Sequence, residues 1–255
     1  MNPPPADPLA ERLAAAGLGW IVPDWPAPPC VRALSTTRSS TVTNGFAPSG
    51  HHSGGDLARI ELRRWLPADP MWLDQVHGAT ICDVDAVRVR SPRPQADGAF
   101  ARGVDTVCAV QTADCLPVLF TDRKGSVVAA AHAGWRGLAA GVLEATLSAM
   151  RADPADVLVW MGPAIGPRVY EVGADVFAAH CDADPGAAAC FAVQRPGKWL
   201  ADLYALARRR LARAGVRTIQ GGGRCTFSES ALFHSYRREG SAAGRMWTLI
   251  WIAAS

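Results

Sequence analysis

Three apolar runs, 104–110, 116–120 and 127–131, follow one another with only short polar breaks at Ala113-Asp114 and at 122–125. Each run is too short for a typical helix and too uniformly apolar for a half-exposed strand, so the three read as adjacent, largely buried strands. The last leads into His132-Ala133-Gly134-Trp135-Arg136-Gly137, then into apolar residues at Leu138, Val142, Leu143 and Leu147, a helical spacing. The local order is strand, glycine turn, helix. Several consecutive strands without an intervening helix argue against a doubly wound sheet and for an α+β fold, a layered arrangement with mixed or antiparallel sheets.

Downstream, 157–161 has the pattern of a strand and 174–180 that of a short helix. Leu200, Leu203, Tyr204, Ala207 and Leu211 form a helical stripe closed by Gly215. Segments 216–219 and 246–252 complete the strands. A chain of 255 residues is near the upper size for one hydrophobic core, and a single compact domain over 31–255, after a lead-in at 1–30, is expected. Segment 39–56, rich in Ser, Gly and Pro and holding His51-His52, reads as a long loop.

Hydrophobic residues make up 49% of the chain, and 26 Lys and Arg against 23 Asp and Glu leave a net charge of +3, which demands no nucleic-acid partner. Arg208, Arg209 and Arg210 fall on the polar side of an amphipathic helix, where a solvated face is the expected role. No stretch approaches the run of about 18 apolar residues that a membrane-spanning helix needs, and the N-terminus is Pro-rich and acidic; no membrane partner and a cytoplasmic location are expected. Seven cysteines without paired spacing read as reduced thiols.

The familiar signatures are absent: His-Glu-x-x-His, Cys-x-x-Cys, the phosphate-binding Gly-x-x-x-x-Gly-Lys-Ser/Thr loop, Gly-x-Ser-x-Gly, Gly-x-Gly-x-x-Gly and the zinc deaminase pair. A site, if present, has to be assembled from distant segments. His77 stands before Gly78 where a short apolar strand gives way. Cys115 follows Asp114 between two buried strands, and His132 ends a third strand ahead of Gly134. Two imidazoles and a thiolate suit zinc, and three protein ligands leave its fourth position open to water or substrate, as in catalytic sites. The rival is a Cys–His nucleophilic pair built on the same Cys115. His51, His52, His180 and His234 are competing ligands, and Cys82, Cys108 and Cys225 read as core filler.

Four blocks carry a resemblance to a known family: Asp74-Gln75-Val76-His77-Gly78, the stretch 110–118 around Thr112-Ala113-Asp114-Cys115, Ala131-His132-Ala133-Gly134-Trp135-Arg136-Gly137, and Cys225-Thr226 with 235–240 and Gly244-Arg245. Together, in order, they resemble the laccase-domain proteins, also called multi-copper polyphenol oxidase, peptidoglycan editing factor, or purine nucleoside phosphorylase of the laccase-domain type. The resemblance implies that His77, Cys115 and His132 ligate zinc, with copper as the alternative metal. It implies an α/β/β/α sandwich in a monomer. It implies phosphorolysis of adenosine, inosine, guanosine and methylthioadenosine to base and ribose 1-phosphate, with deamination of adenosine at the same site, so purine nucleosides and phosphate are the expected partners.

Arg136, at a helix start behind Gly134, and Arg38 are candidates to hold an anion. Gln75 and Asp114 flank ligands and are candidates to contact the base or carry protons, or else to orient the ligands. The sequence departs from the family after Arg38, where Ser39-Ser40 stands in place of glycines and 45–55 lacks the family's asparagine. Substrate choice is the property that this departure touches. Two further readings stay open: a copper phenol oxidase, for which six histidines are too few to build a multicopper cluster, and a non-catalytic editing factor in cell-wall precursor synthesis.

Overall fold

Successive side chains of a strand point to opposite faces, so a strand apolar at every position has to be covered on both. The computed structural model describes residues 8–38, 59–87 and 92–254, and it shows this double cover at β5 (Leu116–Asp122), β6 (Val128–Ala133) and β7 (Val157–Met161). All residues of these strands are buried. With β2 (Ile81–Asp83), β3 (Gly98–Ala101) and β11 (Thr218–Gly221) they form a six-stranded mixed sheet in the order β11-β7-β5-β6-β3-β2. Only its outer pairs, β11 with β7 and β2 with β3, are parallel; β5 pairs antiparallel with β6, to which a short turn joins it, and with β7, which follows β6 through two helices.

The alternation sorts the core. Val118, Phe120, Ala129, Ala131, Val157 and Val159 face helices α2 (Trp135–Ala140), α3 (Val142–Met150) and α5 (Leu203–Arg213). Leu119, Val128, Ala130 and Trp160 face the other way, onto a second sheet. That sheet is antiparallel, with β12 (Met246–Ile252) between β1 (Val31–Ser35) and β4 (Cys108–Thr112). It meets the first sheet through Val31, Ala33, Cys108, Val110, Ile250 and Ile252. Its outer face, Leu34, Ala109, Trp247, Leu249 and Trp251, is covered by Leu9 and Leu13 of α1 (Pro8–Ala15) together with Trp20, Leu62 and Leu66. Helices, sheet, sheet and helix thus stack as an α/β/β/α sandwich in one compact domain. A small antiparallel sheet of β8 (Glu171–Val172), β10 (Lys198–Ala201) and β9 (Phe191–Arg195) adjoins α4 (Ala174–Cys181).

Strands 157–161 and 246–252 coincide with their sequence patterns. Other elements shift for identifiable reasons. Asp105 adopts a positive φ of 60°, Val104 is 56% exposed, and the run expected from 104 becomes strand only at Cys108. Leu200 belongs to β10 and not to the helical stripe, because Asp202 caps α5 by accepting a hydrogen bond from Ala205 N at 2.9 Å. The helix expected beyond Gly134 is two helices, parted at Gly141, whose φ of 89° is a left-handed conformation that glycine adopts without a steric penalty. The loop read at 39–56, with His51 and His52, lies outside the described residues.

His180, on α4, is 3% exposed, and its Nε2 has no partner among the described residues. Burial first, and the nearby Arg210 second, push its pKa from 6.5 down to about 4. Between those values the unfolded chain takes up a proton that the folded chain refuses, so stability falls as the pH drops through this window and is untouched above it. Urea unfolding followed from pH 6.5 to 4 is expected to show a shallower loss of stability in His180→Gln than in the wild type. Equal slopes would show that His180 is not held neutral by the fold.

Candidate metal centre

Asp97 ends the segment that enters β3 and is completely buried. Its Oδ1 accepts from His77 N at 2.8 Å, and its Oδ2 accepts from Gly78 N at 2.6 Å and Val76 N at 3.2 Å. The same Oδ1 lies 2.8 Å from His132 Nδ1, and the Asp97 carbonyl accepts from His132 N at 2.7 Å. Burial works to raise the pKa of this carboxyl, but the bonds from His132, Gly78 and His77 outweigh it and hold the group below its ordinary value. One buried anion therefore clamps the 76–78 loop to β6 and, by engaging Nδ1, turns Nε2 of His132 toward the centre.

His77 is not at a strand end. Met71 and Asp74 make only isolated bridges, and His77 itself has a φ of 63°. A residue with a Cβ pays roughly 1–2 kcal/mol for that conformation, and the three amide hydrogen bonds to Asp97 offset it. His132 lies within β6, which runs one residue further to Ala133.

Cys115 is aimed by the residue before it. Asp114 has a φ of 87° and sits in the turn between β4 and β5. Its Oδ1 accepts from Thr226 Oγ1 at 2.5 Å, and its Oδ2 accepts from Ser235 Oγ at 3.0 Å and Arg237 N at 2.6 Å. Its carbonyl accepts from Ile165 N at 2.9 Å. Ser235 also caps the short helix α6 (Tyr236–Glu239), its hydroxyl accepting from Arg238 N at 3.2 Å. Two remote segments, at Thr226 and at 235–237, thus converge on the carboxylate while a third, at Ile165, holds the backbone carbonyl, and the thiol one residue on is fixed as a result.

The room for the centre comes from Gly134. A Cβ at this position would lie 2.8 Å from Cys115 Sγ and 3.3 Å from His77 Cδ2. Donor atoms of His77, Cys115 and His132 all fall within 4.8 Å of one another, and the two imidazole rings meet edge to face with centroids 4.8 Å apart. Two nitrogens and a sulfur are donors that suit zinc, and three protein ligands would leave its fourth position open. The three residues can hold a metal ion. Burial alone would raise the Cys115 thiol, but the charge and hydrogen bond of His132, and then those of His77, lower it. His132 is correspondingly raised by Cys115 and Asp97 against its own burial. The two shifts run in opposite directions because the thiol and the imidazole share a hydrogen bond and stabilise each other's charged form, and a bound metal would displace the proton between them.

The other expected site residues fall around this centre in different ways. Gln75 uses its amide on Gln111, donating to the carbonyl at 2.9 Å and accepting from the amide at 2.8 Å, which ties the 75–78 loop to β4. Arg136 is exposed on α2 with its guanidinium 4.3 Å from the Trp135 ring centroid. Arg38 pairs with Glu239 of α6. His180 and His234 stand apart, since the described residues contain one potential metal group and it comprises only the triad. Asp97 escaped sequence reasoning; its signal was an acid followed by glycine at the mouth of an all-apolar strand.

The α/β/β/α sandwich thus carries a His–Cys–His group, positioned by buried carboxylates, that could hold a metal ion. The chain belongs to the family described as multi-copper polyphenol oxidoreductase laccase, whose model matches residues 54–253. A purine nucleoside phosphorylase of Pseudomonas aeruginosa is 48% identical over 242 residues, covering 91% of this chain and 98% of the relative. The purine nucleoside phosphorylase YfiH of Escherichia coli matches at the same identity and coverage. Among solved structures, protein NMB0706 of Neisseria meningitidis superposes with a TM-score of 0.85 at 42% identity, over 92% of this chain and 99% of its own. YlmD of Geobacillus stearothermophilus superposes with a TM-score of 0.79 at 28% identity, over 93% and 99%.

Because the cradle depends on a missing Cβ, Gly134→Ala is expected to weaken metal binding at least about tenfold while the metal-free protein keeps a cooperative unfolding transition. Chelator competition measures the first and thermal melting the second. Unchanged metal affinity would show that Gly134 does not shape the centre.

Proposed function

We propose that the protein is a zinc-dependent purine nucleoside phosphorylase, converting adenosine, inosine, guanosine and methylthioadenosine to base and ribose 1-phosphate, with deamination of adenosine at the same centre. The observation that carries this reading is the open His77–Cys115–His132 triad. The names of the relatives that share nearly the whole chain agree with it. Zinc is favoured over copper by the mixed nitrogen and thiolate donors and by the single potential metal group among the described residues, although copper outranks zinc in intrinsic affinity. No helix among the described residues is long and apolar enough to cross a membrane. All seven cysteines are free, which suits a reducing compartment and hence the cytoplasm.

When bound, zinc supplies Lewis-acid charge for the departing purine and an activated water for deamination. The chain's own residues prepare that chemistry. Asp97 fixes the tautomer of His132 and the place of His77. Asp114 and Gln75 act as positioning residues, because their hydrogen bonds already run to Thr226, Ser235, Arg237 and Gln111. Arg136, at the rim, offers a guanidinium to an anion.

One observation favours a second reading. Cys115, His132 and Asp97 also line up as thiol, imidazole and orienting carboxylate, the order of a cysteine hydrolase. The two readings part on metal dependence.

Purified protein of known metal content, incubated with adenosine and phosphate, is expected to yield adenine with ribose 1-phosphate, and inosine from deamination. Chelation and Cys115→Ala should each lower both activities roughly a thousandfold, and Cys115→Ala should also lose the metal. Turnover that survives metal removal would point to the cysteine hydrolase. Oxidation of a phenol with no nucleoside turnover would overturn the proposal.

A further inference from the structure

The anionic turn of Asp114 and Cys115 faces a set of cations that the metal centre does not use. Arg237 reaches it through its backbone, since its N–H is bonded to Asp114. Its exposed guanidinium lies 5.3 Å from the centroid of the Tyr170 ring and donates to the Glu171 carbonyl at 3.1 Å. Arg245 stands immediately before β12. The register Met246↔Thr112 carries it alongside Ala113 and Asp114, where its half-buried guanidinium donates to the carbonyls of Ala243 at 2.8 Å and Gly244 at 3.1 Å and lies within electrostatic reach of Cys115 and Asp114. Arg136 follows two residues after Gly134, whose backbone abuts the thiol. None of the three arginines forms an ion pair with a carboxylate among the described residues, whereas Arg38 and Arg238 of the neighbouring segments both pair with Glu239.

Tyr170 ties the group together. Its side chain is 9% exposed and interacts with the charges of Cys115, Arg237, Asp114 and Arg136. Burial and then the Cys115 charge push its hydroxyl upward, so it remains a donor. The carboxylate of Asp114 accepts from Thr226, Ser235 and the Arg237 amide and forms an ion pair with none of these guanidinium groups, and the Cys115 thiol is hydrogen-bonded to His77 and His132. Three guanidinium groups without an ion-pair partner among the described residues therefore lie around the Asp114–Cys115 turn, an arrangement suited to a tetrahedral dianion held through bidentate contacts.

We propose that Arg136, Arg237 and Arg245, together with the Tyr170 hydroxyl, form the subsite for inorganic phosphate. This subsite rests on the phosphorylase reading and assigns its second substrate. In the reaction an oxygen of HPO₄²⁻ forms a bond to ribose C1′ while the C1′–N9 bond breaks. The electron pair of that bond leaves with the purine, and the phosphate proton ends on N9, giving free base and ribose 1-phosphate. The arginines hold the attacking anion against C1′ and, being fixed charges, need no reorganisation as the bond forms.

The test compares wild type with Arg136→Gln, Arg237→Gln, Arg245→Gln and Tyr170→Phe, each with its metal content measured. Arg64→Gln, a remote exposed arginine paired with Glu61, serves as the charge control. Phosphate affinity is read by calorimetry with inorganic phosphate, and KM is read separately for phosphate and adenosine. Each Arg→Gln variant is expected to raise the phosphate Kd and KM about tenfold or more, with adenosine KM changed less than about threefold and Arg64→Gln like the wild type. Tyr170→Phe should weaken phosphate binding in the same direction by a smaller factor. Arg245→Lys should recover part of the loss, which a merely structural role would not predict. Phosphate constants that stay at wild-type values in the Arg136, Arg237 and Arg245 variants would overturn the subsite. If wild type binds phosphate, the variants lose it, and no ribose 1-phosphate ever forms, the oxyanion subsite stands and the phosphorylase reading falls.

Discussion

The carboxylate of Asp97 is wholly buried, ionised, and bonded at both oxygens. Removing an isolated carboxylate from water costs several kcal/mol even after relaxation, so such a group persists only where its partners are fully in place. Here those partners are the amides of Val76, His77 and Gly78 and the ring of His132. The 76–78 loop has no strand ladder to hold it, and His77 sits at an unfavourable φ within it. Asp97 thereby brings together two candidate ligands that lie far apart in sequence and selects the nitrogen that one of them presents. The rest of the centre is laid out around that anchor.

The third ligand is placed by an independent device of the same kind. Asp114 gathers Thr226, Ser235 and Arg237 from the C-terminal part of the chain, and its positive φ lets the turn between β4 and β5 project Cys115 toward the histidines. Gly134 then leaves the space in which the three donors meet. Two buried carboxylates and one absent side chain thus account for the spacing of the donors, while the doubly covered strands β5 and β6 supply a rigid base. The lowered thiol and raised imidazole are consequences of this packing, since each group stabilises the charged form of the other.

Much of this was legible in the sequence where the determinant is local. Uninterrupted apolar runs gave the buried strands, and His77, Cys115 and His132 each stood out by a flanking glycine or acid. The four-layer sandwich followed from the family resemblance, and the sorting of alternate residues into separate cores bears it out. What could not be read depends on distant partners. Asp114 is separated by 112 residues from Thr226 and by 121 from Ser235, so its hydrogen-bonding role was invisible beside its suitability as a proton carrier. Asp97 drew no notice, because the loop that it clamps is 20 residues earlier in the chain. Leu200 continued a helical stripe that the Asp202 cap cuts off, and Gly141 broke a helix whose apolar spacing continues through it. In each of these cases a specific hydrogen bond or backbone conformation overrode a periodic pattern.

The measurement that bears most directly on this account is the zinc affinity of Asp97→Asn, determined by chelator competition on protein that still unfolds cooperatively. Asparagine keeps the shape of the side chain but replaces one acceptor oxygen by an NH₂ group and removes the charge. If Asp97 builds the centre, affinity should fall by roughly 10- to 100-fold. Zinc bound as tightly as in the wild type would contradict the claim that this carboxylate assembles the site.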